Sequence, residues 1–163
     1  MKHLGRILSG LGLAILAVAV VAGVALGHTL TRSFPQTQGV MRLPGLAGQV
    51  GSADGTNGAA RFSSPCSVAV DSVGNLYVAD TYNHTIRVVT ASGGVTTLAG
   101  SAGQVGSADG TNGAARFKEP YGIAVSSAGD LYVTDAGNST LRKVTRSGVV
   151  TTLAGTPGQS GSA

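Results

Sequence analysis

Tryptophan is missing from this 163-residue chain and aromatic residues make up only 4% of it. A large core packed on aromatic side chains is therefore excluded, and short strands joined by tight turns suit the composition better. Cys66 is the one cysteine, which rules out an intrachain disulfide and leaves a thiol expected to sit quietly within a strand. Basic residues exceed acidic ones, but setting Lys2 and Arg6 aside leaves nine of the eleven basic residues against seven acidic. That near balance offers no footprint for nucleic acid. Beyond residue 28 the chain has one histidine, His84, and one glutamate, Glu119. A catalytic cluster of His, Asp and Glu around an open metal position is not supplied by such a sequence.

What the chain has in quantity is glycine and repetition. Gly48 to Phe62 reads GQVGSADGTNGAARF, and the same fifteen letters return at Gly103 to Phe117, an offset of 55 residues. The offset carries Pro65 onto Pro120, Leu76-Tyr77-Val78 onto Leu131-Tyr132-Val133, Asp80 onto Asp135 and Arg87 onto Arg142. A fixed period of this size is the mark of a repeat array. Units run over approximately 48–102 and 103–157, and Gly158-Gln159 restarts the pattern at 158. Gly39 to Gly45 aligns with Gly94 to Gly100, so the repeat region, 40–163, opens on the final strand of a unit. Both ends are out of phase with whole units, and a truncated array is one expectation.

No charge occurs from Ile7 to Gly27, directly after Lys2 and Arg6, the basic-then-apolar layout of an export signal. The run is long enough for a helix that spans a bilayer, which takes about 20 residues. Residues 1–27 therefore read as a transmembrane anchor or as a cleaved signal peptide, with Val20-Val21-Ala22 and Ala25-Leu26-Gly27 offering small residues for cleavage. An anchor would hold the basic end in the cytoplasm and the repeats outside. Cleavage would leave a secreted or periplasmic protein. Residues 28–39, rich in Thr, Ser, Pro and Gln, read as a stalk.

Within a unit, four short runs are rich in branched residues: Val68–Val70, Leu76–Ala79, Ile86–Val89 and Val95–Leu98. The breaks between them carry Gly74-Asn75, Tyr82-Asn83-His84 and Ser92-Gly93-Gly94, residues that tolerate positive φ. The pattern predicts a four-stranded antiparallel meander, repeated at 123–125, 131–134, 141–144 and 149–153. The expected class is all-β, with two four-stranded blades of a partial β-propeller behind one N-terminal apolar helix. Blades stacked face to face explain why strict polar alternation is missing.

The run Pro65, Ala69-Val70-Asp71, Gly74 to Asp80, Asn83-His84 and Ile86-Arg87 resembles the NHL-repeat β-propellers. The second copy keeps Pro120, Ala124-Val125, Gly129, Leu131-Tyr132-Val133, Asp135, Asn138 and Arg142, with Ser126, Asp130 and Ser139 as departures. The resemblance implies a ring of commonly six blades. It also implies roles that range from protein, RNA and ligand binding to metal-dependent lyase or lactonase chemistry. Fold alone does not choose among them.

The residues singled out are expected to bear the fold: Pro65, Tyr77, Asp80, Asn83 and Arg87, with Pro120, Tyr132, Asp135, Asn138 and Arg142. Asp80 and Asp135 each precede a turn, and Arg87 and Arg142 follow seven residues later on the next strand, so a carboxylate facing a guanidinium would lock the hairpin. Tyr77 and Tyr132 are both expected to pack between blades. Asp54-Gly55-Thr56-Asn57-Gly58 invites a calcium reading, but no glutamate closes the loop, and a Gly-rich turn is favoured. It also lacks the Gly-Lys-Ser/Thr ending of a phosphate loop. Asn83-His84-Thr85 and Asn138-Ser139-Thr140 are glycosylation sequons that matter in a eukaryotic secretory route. No catalytic residue, cofactor or metal is assigned. The expectation is an exported, membrane-tethered module, without enzymatic activity, that binds or scaffolds a protein or carbohydrate outside the cytoplasm. Its other partners would be further blades or copies of itself, three of which would close a six-bladed ring. The alternatives are one part of a lyase- or lactonase-like enzyme, or a truncated array without independent function.

Overall fold

The computed structural model describes residues 48–161 apart from Asn57. The apolar run at 7–27, the stalk at 28–39 and the strand read around Val40 lie outside the described residues. No helix among the described residues is long and apolar enough to cross a membrane.

Two antiparallel sheets follow one another along the chain. The first is an up-and-down meander of β1 (Pro65–Val70), β2 (Leu76–Asp80), β3 (Thr85–Val89) and β4 (Val95–Gly100), in that spatial order. The second contains β5 (Gly110–Thr111), β6 (Pro120–Val125), β7 (Leu131–Asp135), β8 (Thr140–Val144) and β9 (Val149–Ala154), in the order β5-β9-β8-β7-β6. Each meander has the form of a propeller blade. In blade 1, β2 and β3 are joined by the 3-10 turn Thr81–Asn83, which His84 leaves at φ 58. Ala136–Asn138 and Ser139 repeat that turn in blade 2.

The second sheet has one strand more than the meander predicted. Its β5 comes from the connector, where Gly110 pairs with Val150 and Thr111 with Val149. Blade 1 shows the same contact as a single bridge, Gly55 to Val95. The segment read as a Gly-rich turn thus runs along the outer strand and caps the sheet edge, which would otherwise present unpaired backbone groups.

The core lies between the blades. Tyr77, Ala79, Ile86 and Ala99 of blade 1 meet Ala115, Phe117, Leu131, Val133, Val144 and Val150 of blade 2 in one buried cluster. Full burial of each larger side chain contributes about 1.5–3 kcal/mol. Gly100 makes the close approach possible. It holds φ +89, and a Cβ there would come within 2.5 Å of the His84 carbonyl oxygen and 3.2 Å of the Phe117 ring.

The two tyrosines expected between blades part company. Tyr77 is 5% exposed, whereas Tyr132, at the matching place on blade 2, is 39% exposed. The reason is positional: blade 2 covers the Tyr77 face, and no further sheet among the described residues covers that of Tyr132.

Candidate functional site

The densest polar cluster in each blade is built around its arginine. In blade 1, Arg87 on β3 is fully buried, as is Asp80 at the end of β2. The antiparallel register places them two rungs apart, Asp80 opposite Thr85 and Val78 opposite Arg87. Arg87 Nη1 donates to Asp80 Oδ2 at 2.8 Å and to the Arg61 carbonyl at 3.0 Å. Asn83, three residues after Asp80, donates Nδ2 to the same oxygen at 2.7 Å and to the Gly51 carbonyl at 2.7 Å. The Ser63 N–H donates to Asp80 Oδ1 at 2.7 Å. A buried charge pair is tolerated when its lone pairs and protons find partners, and here both Nη groups and both carboxylate oxygens do, while the buried Arg87 Nε is left without one.

A third partner comes from the connector. Arg87 Nη2 donates to Asp54 Oδ1 at 2.7 Å and to the Ala53 carbonyl at 2.9 Å. The Asp54 carboxylate in turn accepts the Thr97 N–H at 3.1 Å and the Thr97 hydroxyl at 3.0 Å. The Phe62 ring lies with its centroid 5.0 Å from Arg87 Cζ, within cation–π range. One guanidinium therefore ties together β2, β3 and the connector, while the aspartate it holds seals the backbone of β4.

Blade 2 repeats the arrangement. Arg142 reaches Asp135 Oδ2 at 2.9 Å and Asp109 Oδ1 at 2.8 Å, and its Cζ stands 5.1 Å from the Phe117 centroid. Asn138 Nδ2 donates to Asp135 Oδ2 at 2.7 Å and to the Gly106 carbonyl at 2.6 Å. Asp54, Asp109, Phe62 and Phe117 were not singled out from the sequence as arginine partners. The signal they share is that they fall within the fifteen letters common to both copies.

Burial pushes the Asp80 and Asp135 carboxyls up, against the pull of their asparagine, backbone and arginine bonds. For Asp109 burial also raises the pKa, but the Thr152 N–H and hydroxyl and the Arg142 guanidinium outweigh it and hold the carboxyl below the usual range.

The other selected residues lie elsewhere. Pro65 and Pro120 open β1 and β6. Tyr77 donates its hydroxyl to Asp71 Oδ2 at 3.2 Å, and its pKa is raised by burial and by the Asp71 charge. Both sequon asparagines are buried, with their amides committed to the arginine cluster. Asp54 faces the Arg87 guanidinium and Thr97, and no group of three His, Cys, Asp or Glu among the described residues is placed to hold a metal.

Three polar contacts cross between the blades. Thr81 Oγ1 donates to the Pro120 carbonyl at 2.7 Å, a buried bond. The Ile123 N–H donates to Ser67 Oγ at 3.3 Å, and the Glu119 N–H donates to His84 Nδ1 at 3.1 Å.

The NHL repeat profile matches residues 62–89 and 117–144, spans that begin at the connector phenylalanine and end at the last residue of β3 or β8. The chain carries two NHL repeats. It is 35% identical over 95 residues to Protein SUPPRESSOR OF QUENCHING 1, chloroplastic, of Arabidopsis thaliana, a match over 58% of this chain and 9% of that protein. It is 36% identical over 95 residues to human (Homo sapiens) NHL repeat-containing protein 2, covering 56% of this chain and 13% of the relative. This NHL-repeat chain thus spans about a tenth of the length of the curated relatives it matches. Among solved structures, a Bacteroides thetaiotaomicron protein of unknown function superposes with a TM-score of 0.59 at 31% identity, over 62% of this chain and 26% of its own. An auxiliary nutrient binding protein of the same organism gives 0.57 at 27% identity, over 68% and 28%.

Proposed function

We propose that this NHL-repeat chain is a binding and scaffold module without enzymatic activity of its own, working outside the cytoplasm behind its N-terminal apolar segment. The observation that carries this reading is the commitment of the repeat's polar residues. Asp80, Asn83, Arg87 and their copies in blade 2 are buried and bonded to one another and to the connector. One surface free to meet a partner is the open side of blade 2, where Tyr132 is 39% and Leu153 49% exposed, with Tyr121 of β6 60% exposed. Tyrosine beside aliphatic side chains suits both a protein surface and the apolar face of a sugar.

Likeness to auxiliary nutrient binding proteins from Bacteroides thetaiotaomicron and Bacteroides ovatus supports a binding role. The uncharged run from Ile7 to Gly27 after Lys2 and Arg6 supports export. Copies of the chain are also partners of this surface, because three chains supply the six blades that commonly close a ring.

The test uses the full chain. Protease added to intact cells should digest the repeats, and purified full chain in detergent should bind members of an oligosaccharide or peptide array through a Tyr121/Tyr132-dependent surface. Repeats protected from external protease, or binding unchanged in a Tyr121→Ser, Tyr132→Ser double variant, would overturn this reading.

A further inference from the structure

Five asparagines occur in the chain, and glycine follows two of them, Asn57 and Asn112. Asn57 lies outside the described residues. Asn75, Asn83 and Asn138 donate their carboxamides to Asp71, Asp80 and Asp135. Asn112 is exposed, and its carboxamide makes no hydrogen bond among the described residues. It rests on Gly148, where a Cβ would strike it and would also meet the Leu98 carbonyl of blade 1 at 2.8 Å. The next amide is uncommitted too. Gly113 lies in the 3-10 turn Asn112–Ala114, whose first N–H groups have no partner inside the turn, and among the described residues it makes no backbone bond outside it. An electrophilic carbonyl carbon and an unbonded nitrogen therefore stand in adjacent residues, with no side chain on Gly113 to hinder their approach.

We propose that Asn112-Gly113 is a self-modification site, at which the folded chain converts its asparagine to isoaspartate and aspartate by reaction with water. The Gly113 nitrogen attacks Asn112 Cγ and forms the new N–Cγ bond. The bond from Cγ to Nδ2 breaks, and the amide nitrogen leaves as ammonia with the Gly113 proton. Water then opens the cyclic imide. Addition at Cγ gives aspartate, whereas addition at the main-chain carbonyl carbon breaks its bond to the Gly113 nitrogen and gives isoaspartate, whose backbone runs through Cβ and Cγ. Ring closure requires rotation of the Asn112 backbone, which is resisted by the Asn112 N–H bond to the Gly148 carbonyl at 2.8 Å and the Ala115 N–H bond to the Asn112 carbonyl at 3.3 Å.

The same loop holds a second dipeptide open to this chemistry, and the fold shields it. Asp109-Gly110 would close the same ring with loss of water. Asp109 Oδ1, however, accepts Arg142 Nη2 at 2.8 Å and the Thr152 hydroxyl at 2.9 Å, and Oδ2 accepts the Thr152 N–H at 3.1 Å. Gly110 is paired with Val150 in the sheet. Bonds that favour the ionised carboxylate also keep it unreactive, because the ring closes through the neutral acid. Conversion at Asn112 bears on the joint between the blades. The 3-10 turn packs against β4 of blade 1, and Ala115 and Phe117, just beyond it, are fully buried. Isoaspartate lengthens the main chain by one methylene ahead of these anchors, which a close-packed interior does not absorb freely. Loss of ammonia is irreversible, so the site acts as a timer on blade packing.

The test holds purified full chain folded in detergent at neutral pH, beside a second sample kept in denaturant. Trypsin releases the two Asn-Gly copies on separate peptides, 43–61 and 88–116. Mass spectrometry of peptide 88–116 from the folded chain should show growing exchange of –NH2 for –OH at Asn112, with labelling by an isoaspartyl methyltransferase confined to that residue. In the denatured sample Asp109 should be labelled as well. Gly113→Ala should remove the signal at Asn112, because the added methyl hinders ring closure yet fits the fold, its nearest contact being the Gly100 carbonyl at 4.0 Å. Asn112→Gln, which must close a larger ring, provides the second variant and should lose the signal too. The isoaspartate form, separated by chromatography, should melt below both the parent and Asn112→Asp, which carries the new charge without the methylene. Conversion in denaturant only, conversion undiminished in Gly113→Ala, or Asp109 labelled equally in the two samples would overturn the proposal. An isoaspartate form as stable as the parent would overturn its role as a timer.

Discussion

Arg87 and Asp54 meet at 2.7 Å although the arginine side chain is fully buried and the aspartate side chain is 47% exposed. The contact reaches from the interior of blade 1 to its rim, because the same guanidinium also holds fully buried Asp80 at 2.8 Å. The two halves of this relay should respond very differently to substitution.

Replacing Arg87 with Met strands the Asp80 carboxylate in the interior, so denaturant unfolding of the full chain should show a loss of about 3–5 kcal/mol. Asp54→Asn touches only the half-exposed end and should cost about 1 kcal/mol or less. Equal losses from the two variants would show that the relay does not work as drawn.

The paired tyrosines offer a test of blade packing. Tyr77→Ala should cost about 3–5 kcal/mol, as large-to-small changes in a packed core do. Tyr132→Ala, at the uncovered position, should stay near 1 kcal/mol or below. Thermal unfolding of both variants, compared with the parent, decides the matter.

At Gly100 an alanine methyl would collide with the backbone. Its left-handed conformation adds about 1–2 kcal/mol, and overlap with the His84 carbonyl adds a further ~1–3 kcal/mol. Gly58→Ala is the control, since Gly58 holds φ +91 with nothing within 4 Å of an added methyl, leaving the backbone cost alone. Similar melting temperatures for the two variants would contradict the close approach between blades.

Acid should expose the role of Asp109. Its folded pKa is lowered, so its contribution is present above the ordinary carboxylate range, near pH 4, and is lost as pH falls through the lowered value. The raised Asp80 and Asp135 have the opposite sign, their contribution being lost as pH rises through the raised value. Asp109→Asn should therefore be less stable than the parent at neutral pH, and the gap should shrink on acidification. Melting curves from pH 7 down to pH 2 would measure it, and a gap that widens in acid would be the contrary result.

A sugar on Asn83 or Asn138 and a folded blade exclude one another, since both amide groups are buried and donate two hydrogen bonds. Folded protein from a eukaryotic secretory host should show no glycan mass at either sequon by intact mass spectrometry. Glycan on a folded, protease-resistant chain would contradict the buried amides.

Much of this architecture is legible in the sequence because it depends on neighbours close along the chain. Asp80, Asn83 and Arg87 lie within one hairpin, so the spacing of three and seven residues already places them together once the turn is recognised. Strand positions follow from runs of branched residues between Gly and Asn turns in the same way. Asp54 is not legible as an arginine partner because its bond spans 33 residues, and no local pattern announces a contact at that distance. The edge strand β5 was hidden likewise, since a pair of residues in a Gly-rich loop carries no periodicity.

The sequence by itself determined the repeat, its strands and turns and the residues of each lock, because these arise from backbone preference and short-range geometry. Tertiary structure alone decided which copy of each residue is covered. Tyr77 and Tyr132 sit in nearly the same local sequence, yet one is buried and the other open, because burial depends on the sheet that stands opposite. The Thr81 hydroxyl acquires its contact for the same reason: it is met only because the second blade presents the Pro120 carbonyl to it.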